Sequence, residues 1–159
     1  WGYSNVKYAQ KKDGWCGPAS LSYALGKQGV RVSQEKLAKL TKTNTSKGVD
    51  PKGMISGTKK LGVKVQAVVN KTPTQTLSKL NKAVKKGKSV VVDYISGDRL
   101  RTDGHYSVFL GATKDKVKLF DPSNGGRHKS VNKDNFINHW KDITKKGKIF
   151  KSWGMIIHK

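Results

Sequence analysis

Residues 10–18 read Gln-Lys-Lys-Asp-Gly-Trp-Cys-Gly-Pro and contain the only cysteine of the chain, Cys16. An apolar run of helical type follows directly, Ala19-Ser-Leu-Ser-Tyr-Ala-Leu25. This order predicts that Cys16 lies at the start of a helix, where backbone N–H groups have no intrahelical acceptor and the helix dipole is positive. Both effects favour thiolate over thiol, and the thiolate is the form of cysteine that attacks electrophiles.

Two motifs far downstream supply the groups that a cysteine nucleophile needs. They are Gly104-His105-Tyr-Ser-Val and Phe120-Asp121-Pro122. A histidine can transfer the protons, and a carboxylate can hold the imidazole in one tautomer. His105 opens one predicted strand and Asp121 follows the next, with a hairpin-like connection at 113–115. Antiparallel pairing of these strands would bring the two side chains together.

These pieces resemble the papain-like cysteine peptidases of the bacteriocin-processing (double-glycine leader) peptidase family, in its stand-alone form. The resemblance runs from about Tyr8 to about Trp140 and depends on four motifs in the right order. It implies a Cys16, His105 and Asp121 triad, with Gln10 contributing to the oxyanion hole. It also implies a cysteine peptidase that attacks a carbonyl carbon through the thiolate. Trp15 and Gly104, each beside a triad residue, are candidates for lining the substrate cleft.

Each of these residues also has a purely structural interpretation. A single cysteine is often only a small buried hydrophobe. His105 can be an ordinary histidine at a strand end, and Asp121 followed by proline can simply begin a turn. Gln10 can be a surface glutamine, and Trp15 a core or hinge aromatic. The order of the four motifs, rather than any one of them, favours the catalytic interpretation.

The 159 residues are predicted to form one domain of the α+β class. The resemblance makes this fold papain-like, with a helical lobe at about 8–62 that carries Cys16 packed on an antiparallel sheet lobe at about 63–159. Ser33 is a good N-cap, and Asp50-Pro51 is a good helix start. The predicted helices are 16–27, one after Ser33, one from Pro51, 74–86 and 132–144, and the predicted strands are 63–69, 89–95, 105–112, 116–120 and 148–157.

The composition is strongly basic, with 33 Lys and Arg against 10 Asp and Glu and a formal net charge of +23. Such a charge attracts polyanions over long distances. Nucleic acid, anionic lipid and acidic cell-wall polymer all remain compatible with it. No recognisable nucleic-acid-binding motif is present, so specific nucleic-acid binding is not expected. Solvated lysine faces and compositional bias explain the same charge equally well.

No cofactor or metal is expected. His128, His139 and His158 lack the spacing of zinc ligands, and no phosphate-binding loop is present. No apolar run approaches the ~20 residues that span a bilayer. The chain begins with Trp1 rather than Met, which favours an excised domain or a processed product. The expected location is extracellular or cell-wall associated. A phage-encoded origin is compatible with this location. A monomer is the favoured oligomeric state.

Three functions remain open at this point. The first is hydrolysis of peptide or isopeptide bonds in cell-wall cross-links of peptidoglycan or pseudomurein, which suits a cationic surface. The second is maturation of secreted peptides by cleavage after a double-glycine leader, the eponymous activity of the family. The third is a catalytically silent domain of the same fold that binds an acidic polymer.

Overall fold

A computed structural model describes residues 8–45, 48–69, 71–94, 105–123, 125–143 and 149–159 of the chain. Within these ranges the chain forms five α-helices and eight β-strands. The helices are α1 (Cys16–Lys27), α2 (Gln34–Thr41), α3 (Pro51–Lys59), α4 (Pro73–Lys85) and α5 (Lys133–Asn138). The strands are β1 (Lys64–Val68), β2 (Ser89–Tyr94), β3 (His105–Ala112), β4 (Lys116–Asp121), β5 (Arg127–Asn132), β6 (Lys141–Ile143), β7 (Ile149–Lys151) and β8 (Gly154–His158).

Six of these strands form one antiparallel sheet in the order β1-β8-β2-β3-β4-β5, and β6 pairs with β7 separately. A tight hairpin joins β3 to β4, and the Thr113 N–H donates to the Lys116 carbonyl at 2.9 Å. Val108 faces Phe120 across this pair. The predicted α+β class and the predicted antiparallel hairpin are therefore confirmed.

Apolar side chains cover both faces of the sheet, because successive residues of a strand point to opposite sides. On one face Val91 packs with Leu21 and Leu25 of α1. On the other face Val90 and Val92 pack with residues of α4. Strand β2 is buried along its whole length, so the sheet forms the middle layer between helices. The start of α1 is consequently held against the sheet.

Two helix starts follow from side-chain caps that the sequence predicts. Ser33 caps α2, and its hydroxyl accepts from the Lys36 N–H at 3.1 Å. Asp50 caps α3 by accepting from the Gly53 N–H at 2.9 Å, and Pro51 occupies the first helical turn. Each cap satisfies a backbone donor that the helix itself cannot satisfy.

Two predictions for the C-terminal third are wrong, and one strand there was not predicted. The predicted helix 132–144 ends at Asn138, because residues 141–143 pair with 149–151 as strands. Trp140 is buried, and its indole N–H donates to the Trp153 carbonyl at 2.9 Å. The predicted strand 148–157 breaks at Ser152, which has a φ of 53°. No strand was predicted at 127–132, where β5 completes the sheet edge.

Candidate active site

The backbone at Gly14 and Gly17, near Cys16, is packed too tightly for any residue with a side chain. Cys16 is the first residue of α1 and is half-buried. Gly14 has a φ of 78°, and a Cβ there would lie 2.6 Å from the Thr45 carbonyl oxygen. A Cβ on Gly17 would lie 2.9 Å from the sulfur of Met54. Gly14 and Gly17 thus allow the start of α1 to dock closely on α3 and on the segment that precedes α3.

His105 and Asp121 are brought together by the β3–β4 hairpin. His105 is the first residue of β3 and is fully buried, and Asp121 is the last residue of β4. The Nε2 atom of His105 lies 2.7 Å from Oδ1 of Asp121. Neighbouring strand ends therefore place the two side chains in direct contact, although 16 positions separate them in the sequence.

Asp121 has three further hydrogen bonds. Its Oδ1 atom accepts from the Ser123 N–H at 2.9 Å and the Ser123 hydroxyl at 2.7 Å, and its Oδ2 accepts from Lys129 Nζ at 2.8 Å. Burial alone would raise the pKa of Asp121. The hydrogen bonds from His105, Lys129 and Ser123 outweigh burial and hold this pKa far below its usual range. Asp121 is therefore an anion at all ordinary pH values.

The pKa of His105 reflects its burial and two neighbouring side chains. Burial, the largest influence, would lower its pKa, but interactions with Asp121 and Cys16 overcome burial and raise the pKa to about 9. Nε2 bonds to Asp121, and the buried Nδ1 makes no hydrogen bond of standard length to the described residues. Nδ1 is thus the ring nitrogen that is available to interact with Cys16. Such contacts are often long before substrate binds.

Gln10 lies beside the strand end that carries Asp121. Its backbone N–H donates to the Pro122 carbonyl at 2.8 Å. Its side-chain amide donates to the Lys12 carbonyl at 3.2 Å. An amide NH₂ has two donors, so this bond leaves a second N–H for another acceptor. The structure thus joins the segment before Cys16 to the segment after Asp121.

The two candidates for the substrate cleft differ in outcome. Trp15 is only 7% exposed, and Lys12 Nζ lies 5.0 Å from the centre of its ring. This burial favours the core interpretation of Trp15. Gly104 lies outside the described residues.

The imidazole of His105 is bonded to Asp121, and Cys16 is close enough to raise its pKa. A thiol beside a histidine that is bonded to a carboxylate is suited to acyl transfer through a thiolate.

The described residues contain no group of three or more His, Cys, Asp or Glu side chains that could hold a metal ion. Two of the other described histidines, His128 and His139, make contacts within the protein. Nε2 of His128 lies 3.0 Å from the Tyr23 hydroxyl. Nδ1 of His139 lies 2.8 Å from the Asn135 carbonyl oxygen. In the described ranges, no helix has the length and apolarity needed to cross a bilayer.

Sequence reasoning missed Ser123 and Lys129. The signal for Ser123 is present, because an aspartate often bonds to the backbone two residues on. Lys129 lies on β5, the unpredicted strand, opposite Leu119 and so on the same face of the sheet as Asp121. Its contact with Asp121 depends on strand register, which the local sequence does not reveal.

Comparison with known families gives one match that covers most of the chain. The model of the Peptidase_C39 like family matches residues 3–148. No curated protein matches the sequence significantly.

Among the solved structures that share the fold are those of the following three proteins. The peptidase domain of Streptococcus ComA, a bi-functional ABC transporter of a quorum sensing pathway, is 23% identical with a TM-score of 0.67, and the match covers 90% of each chain. A Bacillus anthracis protein described as C39-like is 20% identical with a TM-score of 0.72, over 99% of this chain and 96% of that one. A double glycine motif protease from an AMS/PCAT transporter, solved with the leader peptide, is 14% identical with a TM-score of 0.65, over 94% and 87%.

Proposed function

Because the chain belongs to the Peptidase_C39 like family and is a cysteine peptidase, we propose that Cys16, His105 and Asp121 form its catalytic triad. The observation that carries the proposal is the position of His105, which is bonded to Asp121 at 2.7 Å and has a pKa raised by both Asp121 and Cys16. A purely structural histidine at a strand end would not need both a carboxylate and a thiol as interacting neighbours.

In the proposed reaction, the thiolate of Cys16 attacks the carbonyl carbon of the scissile bond and forms a C–S bond. His105 donates its Nδ1 proton to the leaving amine as the C–N bond breaks, which leaves an acyl-enzyme. Water then attacks the thioester with His105 as the base, and the thiolate departs. Asp121 stays ionised throughout and stabilises the imidazolium.

Gln10 and the backbone N–H of Cys16 are the proposed oxyanion donors. The Cys16 N–H lies in the first turn of α1, where the helix supplies no acceptor. Loss of one such donor costs on the order of 10²–10³-fold in turnover. The hydrogen bond from the Gln10 backbone to Pro122 supports this role, because it keeps Gln10 close to the triad.

The pH profile tests the state of His105. Turnover should fall as pH rises through about 9, because the raised pKa keeps the imidazolium protonated below that value and loses it above. Asp121→Asn should move this fall to lower pH, since it removes an interaction that raises the pKa of His105. The measurement is kcat/KM between pH 5 and 11.

Asp115→Asn is the matched control for this profile, because Asp115 lies exposed in the β3–β4 hairpin. It should leave the alkaline side of the profile unchanged. An Asp121→Asn profile that coincides with the wild type would contradict the proposed link between Asp121 and His105.

For the substrate we propose peptide or isopeptide cross-links of the cell wall, in peptidoglycan or pseudomurein. The support is electrostatic. Residues 51–92 contain ten lysines and no acidic residue. None of these ten forms an ion pair with an acidic side chain in the ranges that the structure describes. Their charge therefore extends into solvent, where it would attract an acidic matrix.

A second substrate class is supported by the fold. Two of the similar structures are peptidase domains of transporters, and one of them was solved with a leader peptide. Cleavage after a double-glycine leader is therefore the alternative function. Digestion of purified wall material and of double-glycine leader peptides in parallel, with mass spectrometry of the products, separates the two.

Salt dependence adds a second test of the wall proposal. Hydrolysis of wall material should fall steeply between 0.1 and 1 M salt, because the Debye length shrinks from about 10 Å to about 3 Å. Hydrolysis of a small neutral peptide should change far less, since Cys16 and His105 interact at short range. Both rates are measured on one preparation. Equal salt sensitivity would argue against matrix binding, and leader cleavage without wall hydrolysis at any salt would replace this function with the alternative.

A further inference from the structure

Gln34, the first residue of α2, is a long polar side chain with only 2% of its surface exposed. Its amide is satisfied at both ends. Nε2 donates to the Ala9 carbonyl at 2.8 Å, and Oε1 accepts from the Lys11 N–H at 3.0 Å. One side chain thus pairs with two backbone groups as a neighbouring β-strand would. A buried amide with this pairing fixes the backbone that it contacts.

The two bonds of Gln34 flank Gln10 directly, on the residue before it and the residue after it. The Gln10 N–H is itself bonded to the Pro122 carbonyl. Residues 9–11 are consequently held from two directions, by α2 on one side and by the end of β4 on the other. This segment lies outside regular secondary structure, so no helix or strand bonds fix it, and it precedes the nucleophile.

We propose that Gln34 is a positioning residue for the reaction, which fixes the backbone of residues 9–11 so that the Gln10 amide meets the oxyanion. This inference rests on the proposed function and on the oxyanion role of Gln10. A preorganised donor acts only when it is already aimed at the developing charge. A displacement of about 1 Å can cost about 10²-fold in rate.

The test uses Gln34→Met, which keeps the length of the side chain and removes both hydrogen bonds. A shorter side chain is avoided because Gln34 also lines a cavity of about 370 Å³. Turnover of any peptide that the wild type hydrolyses should fall about 10- to 100-fold, with KM nearly unchanged. Gln34→Glu, which keeps the acceptor for Lys11 but loses the donor to Ala9, should lose turnover as well.

A double-mutant cycle separates positioning from general stabilisation. In a Gln10→Ala background, Gln34→Met should cause little further loss of turnover, because the donor that it positions is gone. Alkylation of Cys16 by iodoacetamide should be unchanged by Gln34→Met, since thiolate formation does not need the oxyanion donor. Gln28→Met is the matched control. Gln28 bonds to the Gly87 carbonyl and the Ser89 hydroxyl, so its loss should lower Tm without changing kcat.

The inference is overturned if Gln34→Met leaves kcat unchanged, or if its effect is as large in the Gln10→Ala background as in the wild type. An unaltered kcat in Gln10→Ala alone overturns it too. Cys16→Ala, assayed beside these variants, tests the proposed function separately. Loss of turnover in Cys16→Ala would support the cysteine mechanism, whatever the Gln34 variants show.

Discussion

Cys16→Ala should lose turnover by about 10⁵- to 10⁶-fold on any peptide that the wild type hydrolyses, the usual cost of removing a triad nucleophile. The reason is chemical, because alanine cannot form the acyl-enzyme. The fold should persist, since alanine is the best helix former and Cys16 begins α1. The measurement is product formation by mass spectrometry, with thermal unfolding recorded on the same sample.

Ser20→Ala is the matched control for this experiment. Ser20 lies one turn further along α1 and is fully buried, and its hydroxyl has no hydrogen-bond partner among the described residues. Its removal should leave turnover within a few-fold of the wild type. Wild-type activity in Cys16→Ala would mean that the protein hydrolyses peptides by another chemistry.

His105→Ala should cost about as much as Cys16→Ala, because members of a triad act as one unit. The variant lacks both the proton donor for the leaving amine and the partner of the thiolate. Asp121→Asn should cost about 10⁴-fold, since it disturbs the tautomer and orientation of the imidazole but leaves the proton carrier. The measurement is the single-turnover rate constant of each variant, with enzyme in excess over substrate.

The remaining histidines are the controls for His105. His139→Ala and His158→Ala should change turnover little. His128→Ala should mainly lower Tm, because His128 packs on Phe120 and contacts the Tyr23 hydroxyl. A variant of His128 or His139 that folds normally but has no turnover would contradict the assignment of His105.

The N-terminal half of the fold follows from local signals. Ser33 and Asp50 are capping residues, and each begins its helix where the sequence predicts. The fold of the C-terminal third cannot be predicted from local signals, because long-range contacts determine it. The apolar spacing of Phe136 and Trp140 suggests one long helix, but the indole of Trp140 bonds across to the Trp153 carbonyl and the chain turns into a strand. Tertiary burial overrides periodicity there.

The candidate site likewise has contacts that the sequence predicts and contacts that it does not. The sequence predicts that His105 and Asp121 meet, because the hairpin between their strands is short, and their 2.7 Å contact confirms that meeting. Their catalytic roles stay predictions. Lys129 and Gln34 could not be predicted, since their contacts depend on strand register and on where α2 packs. The family match to residues 3–148 confirms the resemblance that the four motifs suggest.

The rate at which iodoacetamide alkylates Cys16, measured against pH in the wild type and in His105→Ala, shows whether His105 activates the thiol. It needs no substrate, and the single cysteine makes the product unambiguous in a mass spectrum. If His105 and Cys16 form an ion pair, the wild-type rate should already be near its plateau at neutral pH. The rate in His105→Ala should instead rise towards the behaviour of an ordinary thiol, with a midpoint nearer to about 8.5. Identical profiles in the two proteins, both rising as an ordinary thiol does, would contradict the proposed ion pair between Cys16 and His105.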